Sequence, residues 1–337
     1  MKSNETILID HGSGGKISNQ LVAQMMLPAF DNPILNRLDD GATLEIGNRR
    51  MAFSTDSFVV DPLFFPGGNI GDLAVNGTVN DLAMCGAVPQ YLSMALIIEE
   101  GFSIQKLQTI VNSMGRAAKT AGVILVTGDT KVVPAGAADK LFINTAGIGQ
   151  IPAHVHIGSA NARPGDCILV SGSIGDHGMT ILAQREELGF SADIQSDSAP
   201  LCHMTQALLK ACPQVHALRD PTRGGVATAL NEIAQKSGVG IQIEASQVPV
   251  LPPVSGLCDL LGLDPLHVAN EGKMLVFVAP EAADLALRTL RANPLGAQAA
   301  IIGQVVDDHI GRVYLKTPIG GSRLLDMLTG EQLPRIC

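Results

Sequence analysis

A cysteine ends this 337-residue chain, in the sequence Pro334-Arg335-Ile336-Cys337. The preceding segment, Thr329-Gly330-Glu331-Gln332-Leu333-Pro334, carries a Gly and a Pro and reads as a mobile tail. The thiol is therefore expected beyond any helix or strand that could bury it. A thiol on a tether can carry a group, entering an active site and then presenting its cargo elsewhere. The plain alternative is chance placement of one of six cysteines. Its neighbours do not activate it, because the α-carboxylate disfavours a thiolate and Arg335 offsets that only in part. Chemistry at Cys337 must be driven from outside the tail.

Near the other end, His11-Gly12-Ser13-Gly14-Gly15-Lys16 is a glycine-rich loop before an expected helix at Ile17–Met26. Exposed backbone N–H groups and a helix N-terminus suit phosphate, although an ordinary turn has the same composition. The Walker A spacing is absent. Three aspartates could supply hard oxygen ligands. Asp56 interrupts an apolar strand, Phe53-Ser54-Thr55-Asp56-Ser57. Asp81 flanks Asp72, Asn76 and Asn80 on one helix face, and Asp129 lies in Thr127-Gly128-Asp129-Thr130-Lys131 at a strand exit. Asn and Asp are poor helix formers, so their concentration indicates a polar task. Carboxylates meeting a glycine-rich loop are what Mg²⁺ on a polyphosphate requires; simple capping is the other reading. The second half adds Arg219-Asp220-Pro221-Thr222-Arg223-Gly224-Gly225, fit for an anion or for an internal ion pair. It also adds Asn270-Glu271-Gly272-Lys273, where Glu271 is either a base or a surface charge at a strand entry.

The elements that must position these groups read as α+β. Strands are expected at Arg50–Val60, Val88–Ile98, Gly122–Val126 and Leu141–Gly149, with helices at Asn69–Gly86 and from Ser103 onward. A boundary falls at Ile151-Pro152-Ala153-His154. Residues 1–153 thus form one domain, 154–328 a second α+β domain and 329–337 the tail. In the second domain strands are expected at Cys167–Ser171, Gly240–Glu244, Met274–Val278, Ala300–Val306 and Arg312–Lys316. Its helices fall at Asp176–Leu188, Ala199–Cys212, Gly224–Lys236 and Glu281–Arg291.

Composition excludes several classes. A net charge of −9 and no Trp argue against a nucleic-acid binder. No apolar run approaches a membrane span, and Met1–Asp10 lacks the core of a signal peptide. The six cysteines form no C-x-x-C pair, so a cytoplasmic, reducing location is expected, without a zinc site or disulfide scaffold.

Together the glycine-rich start, the Phe-Ser-Thr-Asp strand, the Asn80-Asp81 helix, Thr127–Lys131 and the Arg-Asp-x-Thr-Arg-Gly-Gly loop resemble the ATP-binding superfamily of aminoimidazole ribonucleotide synthetase. Within it, Asp61-Pro62-Leu63-Phe64-Phe65-Pro66-Gly67-Gly68-Asn69-Ile70-Gly71, Asn270–Lys273 and the terminal Pro-Arg-Ile-Cys resemble the HypE family of hydrogenase expression/formation proteins, over essentially the whole length. The resemblance implies an ATP-dependent carbamoyl dehydratase. A partner, HypF, would carbamoylate Cys337, and this chain would dehydrate the S-carboxamide to a thiocyanate. The cyanide would pass to iron on a HypC–HypD complex. It also implies a homodimer. From the residues themselves, nucleotide contacts are expected from Gly12, Ser13, Gly14, Gly15, Asn80 and Thr130, with the Gly12–Gly15 loop covering the phosphates and Mg²⁺ held by Asp56, Asp81 and Asp129. Glu271 and Lys131 are expected to line the pocket that receives the carboxamide. The alternatives are a small-molecule synthetase or kinase of the same superfamily, and a scaffold using Cys337 as a metal ligand.

Overall fold

The protein, a computed structural model, is described over residues 6–185, 193–330, 333 and 335–337. Residues 42–151 build a five-stranded sheet from β1 (Ala42–Ile46), β2 (Arg49–Phe58), β3 (Val88–Glu99), β4 (Ile124–Val133) and β5 (Leu141–Ile151). The spatial order is β1-β2-β5-β3-β4, antiparallel except for the β3–β4 pair, so β4 is an edge. Alternation in β2 turns Ala52, Ser54 and Phe58 inward and Phe53, Thr55 and Ser57 outward. After α1 (Lys16–Leu21), which follows the glycine-rich loop, the inward face is covered by α2 (Ile70–Met84), with α3 (Ile104–Ala121) packed beside it.

Local chemistry sets the helix ends. Asn69 Oδ1 accepts the Gly71 N–H at 2.8 Å, and the Asn69 N–H donates to Asp72 at 3.0 Å. Asp72, expected on a functional face, is thus a capping residue. Ser103 caps α3 as expected, and Gly122 ends it at φ +75°.

The second half forms a seven-stranded sheet from β6 (Cys167–Val170), β7 (Val215–Arg219), β8 (Gly240–Glu244), β9 (Leu275–Val278), β10 (Ala300–Val306), β11 (Val313–Lys316) and β12 (Ser322–Leu324), ordered β12-β11-β8-β10-β6-β9-β7. Its helices are α4 (Asp176–Arg185), α5 (Cys202–Ala211), α6 (Gly225–Ser237), α7 (Pro252–Leu261) and α8 (Ala283–Arg291). One face of this sheet packs on α6. The other shares a continuous apolar core with the first domain, and that core takes in Leu333, Ile336 and Cys337.

Among the described residues, β1, β7, β12 and α7 were not expected from the sequence, nor was the short strand pair Phe64–Phe65 with Gly68–Asn69. In addition, β4 runs through Thr127–Lys131, so Asp129 sits inside a strand and not at its exit. The expected end of α4 at Leu188 lies outside the described residues. Among the described residues no helix is long and apolar enough to cross a membrane.

Candidate active site

The acidic residues of the two halves face one another. Asp81 on α2 accepts the Ser54 hydroxyl from the inward face of β2 at 2.6 Å, and Asp56 lies two residues along on that face. Asp40, just before β1, is ion-paired with Arg219 at the end of β7, and Arg219 also reaches Glu232 at 2.7 Å. Burial raises the carboxyls of Asp56 and Asp81 above the usual range. For Asp81, repulsion from Asp220, Asp56 and Asp40 adds to it. Asp220 is pushed up to about 6, by burial first, with Asp56 and Glu232 contributing against the pull of Arg219. A cluster whose members hold one another's protons on has a deficit of positive charge. Among the described residues no group of three or more His, Cys, Asp or Glu side chains forms a metal cage. Mg²⁺ on a phosphate chain needs only one or two protein carboxylates, however, and Asp56 and Asp81 fit that need.

The glycine-rich loop packs against the second domain beside the same region. Arg223 donates to the Gly12 carbonyl at 3.0 Å and pulls electrostatically on both Asp56 and Glu271. Gly14 has φ +73°, and a Cβ there would lie 2.9 Å from Arg223 Cβ; a Cβ on Gly15 would lie 2.3 Å from the Leu328 carbonyl oxygen. Both glycines are therefore needed for the close approach.

Glu271 is 4% exposed, and its Oε1 has no hydrogen-bond partner. Burial, then Asp197, Asp56 and Asp220, push its carboxyl well above the usual range. Its loop is fixed from three sides. Asp197 accepts the N–H groups of Glu271 and Gly272 at 3.1 and 3.2 Å, and Lys273 lies 3.2 Å from Asp197. Burial works against the Asp197 charge, but Lys273, His177 and these N–H bonds hold its carboxyl below the usual range. From the first domain, Asn80 donates to the carbonyls of Glu271 and Ala199 and accepts the Leu201 N–H.

The C-terminal segment enters beside this loop. Cys337 is 7% exposed and Ile336 3%. The Val59 N–H donates to the Cys337 carbonyl at 3.0 Å and the Asp61 N–H to the Arg335 carbonyl at 3.1 Å, so the segment pairs with the chain leaving β2. His177 Nε2 donates to the Ile336 carbonyl at 2.8 Å. Arg335 is ion-paired with Asp139 and donates to the Val59 carbonyl. Burying the Ile336 side chain alone contributes about 1.5–3 kcal/mol. The expectation of a thiol that nothing buries is thus corrected: backbone pairing, an apolar side chain and a distant histidine seat it.

Several other site expectations also change. Asp129 and Lys131 pair with each other at 2.8 Å, both exposed. Their strand partners Ala95 and Ile97 put them on the outward face, opposite Asp56. Three strand spacings also separate β4 from β2, about 14 Å. Within one chain Asp129 therefore joins neither Asp56 nor Asp81, and among the described residues Lys131 pairs with Asp129 and not with Glu271 or the tail. Thr130, between Asp129 and Lys131 on the same edge strand, is exposed as well. Asn80 is 2% exposed with its amide engaged by protein groups, a clamp between domains and not a nucleotide ligand. Residues the sequence reading passed over are Asp40, Asp197 and His177. The Gly172–Gly175 turn ahead of Asp176-His177 and the doubled Asp39-Asp40 were the available signals.

Fold and site define a class. AIR synthase related protein, N-terminal domain, matches residues 38–151, and AIR synthase related protein, C-terminal domain, matches residues 163–316. Carbamoyl dehydratase HypE of Azotobacter vinelandii is 52% identical over 334 residues, 99% of this chain and 98% of its own. That of Escherichia coli (strain K12) is 49% identical over 336 residues, 98% and 99% of the two chains. The chain belongs to the HypE family and is a carbamoyl dehydratase. Among solved structures, HypE in complex with ATP is similar with a TM-score of 0.83 at 52% identity, over 98% of this chain and 100% of that one. A HypE–HypF complex is similar with a TM-score of 0.88 at 48% identity, over 91% and 99%. Thiamine monophosphate kinase from Aquifex aeolicus, at 18% identity and a TM-score of 0.66 over 93% and 99% of the chains, shares the fold.

Proposed function

We propose that this chain uses ATP to dehydrate the S-carboxamide on its own Cys337 to a thiocyanate, as the cyanide source for hydrogenase maturation. The observation that carries the reading is the burial of the terminal cysteine, paired with the chain leaving β2 and tied through His177 to the helix that packs on the segment before Glu271. An amide oxygen is a poor leaving group. Attack of that oxygen on the γ-phosphorus of ATP releases ADP, and loss of one N–H proton leaves an O-phosphorylated imidate. Loss of the second proton expels phosphate and forms the C≡N bond, so the oxygen leaves as phosphate. Glu271 is the base for these protons, taking them in turn and passing the first to water before the second step, its raised pKa making it a stronger acceptor when ionised. Asp56 and Asp81 would hold Mg²⁺, which supplies charge neutralisation on the phosphates. The Gly12–Gly15 loop covers them.

The solved HypE complexes with ATP and with HypF support the nucleotide and a carbamoylating partner of the HypF kind; a HypC–HypD complex is the proposed acceptor. A homodimer is supported by the apolar outward face of the first sheet, where Phe53, Tyr91, Ile97 and Ile148 are exposed, together with Val126 and Val132 on β4. Asp129 and Thr130 enter a nucleotide site only if a second copy brings its β4 to the acidic cluster of the first. All six cysteines are free, which suits a reducing, cytoplasmic setting.

The test is mass spectrometry of the terminal peptide after incubation with the carbamoylating partner, its carbamoyl donor and ATP. Loss of one water from the carboxamide of Cys337 is expected. A carboxamide that persists with ATP present defeats the reading, and a Cys337→Ala chain that still turns over a small substrate would make this a kinase or synthetase.

A further inference from the structure

We infer that His177 is a positioning residue that sets the register of the terminal thiol against the Glu271 loop. The inference deepens the proposed function and rests on it. The carbonyls of Arg335 and Cys337 both turn toward residues 59–61 and are satisfied there. The carbonyl between them, that of Ile336, turns the other way into the protein, where a carbonyl without a donor is costly. His177 Nε2 supplies the donor at 2.8 Å.

The ring that donates is itself fixed. Its Nδ1 lies 2.7 Å from the Ser196 hydroxyl, and the Ser196 N–H donates to the Pro66 carbonyl at 2.9 Å. Phe65 meets the ring edge-on at a centroid distance of 5.5 Å. His177 is fully buried, and burial holds its pKa below the ordinary value. The Asp197 carboxylate and the Ile336 carbonyl pull it up, and Arg185 pushes it down. The neutral ring with its proton on Nε2 then accepts from Ser196 and donates to Ile336, which satisfies every group.

The same histidine is tied to the catalytic loop through its own helix. The Gly175 N–H donates to Asn270 Oδ1 at 2.8 Å, and the Gly178 N–H donates to the Ala269 carbonyl at 3.1 Å. A Cβ on Gly178 would lie 2.4 Å from Val268, so helix and loop sit without a gap. Glu271 follows Asn270 directly. His177 thus joins the residue before the thiol to the segment before the base.

The test uses the full-length protein with His177→Ala, which removes the donor, and His177→Gln, which keeps an N–H donor on a side chain of similar reach. Alkylation of Cys337 by N-ethylmaleimide is read at the terminal peptide by mass spectrometry, so Cys85 and Cys167 do not confuse it. His177→Ala is expected to raise that rate about tenfold or more, with His177→Gln close to the parent. In single turnover from carbamoylated Cys337, the Ala variant should be slowed about tenfold to a hundredfold and the Gln variant largely restored, with ATP affinity held within about twofold. Ser196→Ala, which frees the ring at Nδ1, should raise alkylation in the same direction and keeps the question decidable if His177→Ala does not fold. An unchanged alkylation rate in folded His177→Ala and Ser196→Ala, or no rescue by Gln, overturns the inference. Alkylation needs no dehydration, so that failure leaves the proposed function standing; a parent protein that never yields thiocyanate removes the function without altering the alkylation result.

Discussion

Asn80 of the first domain donates to the backbone carbonyl of Glu271 in the second at 3.2 Å, while its own Oδ1 accepts the Leu201 N–H at 2.8 Å. One buried amide therefore holds the loop that carries Glu271, the proposed base. Asn80→Asp would set a carboxyl against two carbonyl oxygens. A loss of about 3 kcal/mol or more is expected, read as a lower urea midpoint. A midpoint equal to the parent's would show that the clamp contributes nothing.

Glu271→Gln keeps the shape of the side chain and removes its basicity. ATP affinity should stay near the parent value, and thiocyanate formation should slow by about 10²–10⁴-fold. If instead the variant unfolds early and its folded fraction turns over normally, Glu271 is structural.

The raised carboxyls make stability depend on pH in a defined direction. Asp220 is lifted from 3.8 to about 6 on folding, so its contribution is fully present below pH 3.8 and is lost as pH rises through about 6. Without nucleotide, the melting temperature of the parent should fall relative to that of Asp220→Asn between pH 5 and pH 7. Parallel curves for the two proteins across that window would place the proton elsewhere.

Exchange of subunits tests the origin of the third carboxylate. Asp81→Asn and Asp129→Asn are each expected to abolish Mg²⁺-dependent ATP hydrolysis as homodimers. Mixed and allowed to exchange, they should recover about a quarter of the parent rate, because heterodimers carry one intact composite site. No recovery, with exchange shown by mass, would place Asp129 outside the site.

Gly15→Ala puts a methyl group where the Leu328 carbonyl now stands, 2.3 Å from its oxygen. The loop should lift from Arg223, and ATP should bind about tenfold more weakly with little change in the melting temperature. Titration calorimetry beside a thermal scan separates this local effect from a general loss of fold.

The parts of this molecule legible in its sequence are those governed by near neighbours. β8 and β10 fell where alternation put them, at Gly240–Glu244 and Ala300–Val306. Ser103 capped its helix, and the polar residues of α2 marked a face with a task. What local pattern cannot convey is the order of strands. Asp56 and Asp129 look equivalent along the chain, and only the β1-β2-β5-β3-β4 order separates them. The tail misled for the same reason: its partners Val59, Asp61 and His177 lie far away in sequence, and nothing in residues 329–337 announces them. His177 gave little signal, because a histidine near a helix start is common and its meaning comes from a carbonyl 159 positions away.

The anchors that seat the terminal residues have a further consequence. They are main-chain carbonyls and the side chains of Ile336 and Arg335, none of which changes when the sulfur gains or loses a cargo. These contacts hold carboxamide, nitrile and free thiol in one register, and only the packing around the buried sulfur distinguishes the three. The backbone anchors then give the finished thiocyanate no push outward, and the direction of release comes from capture of the nitrile by the acceptor.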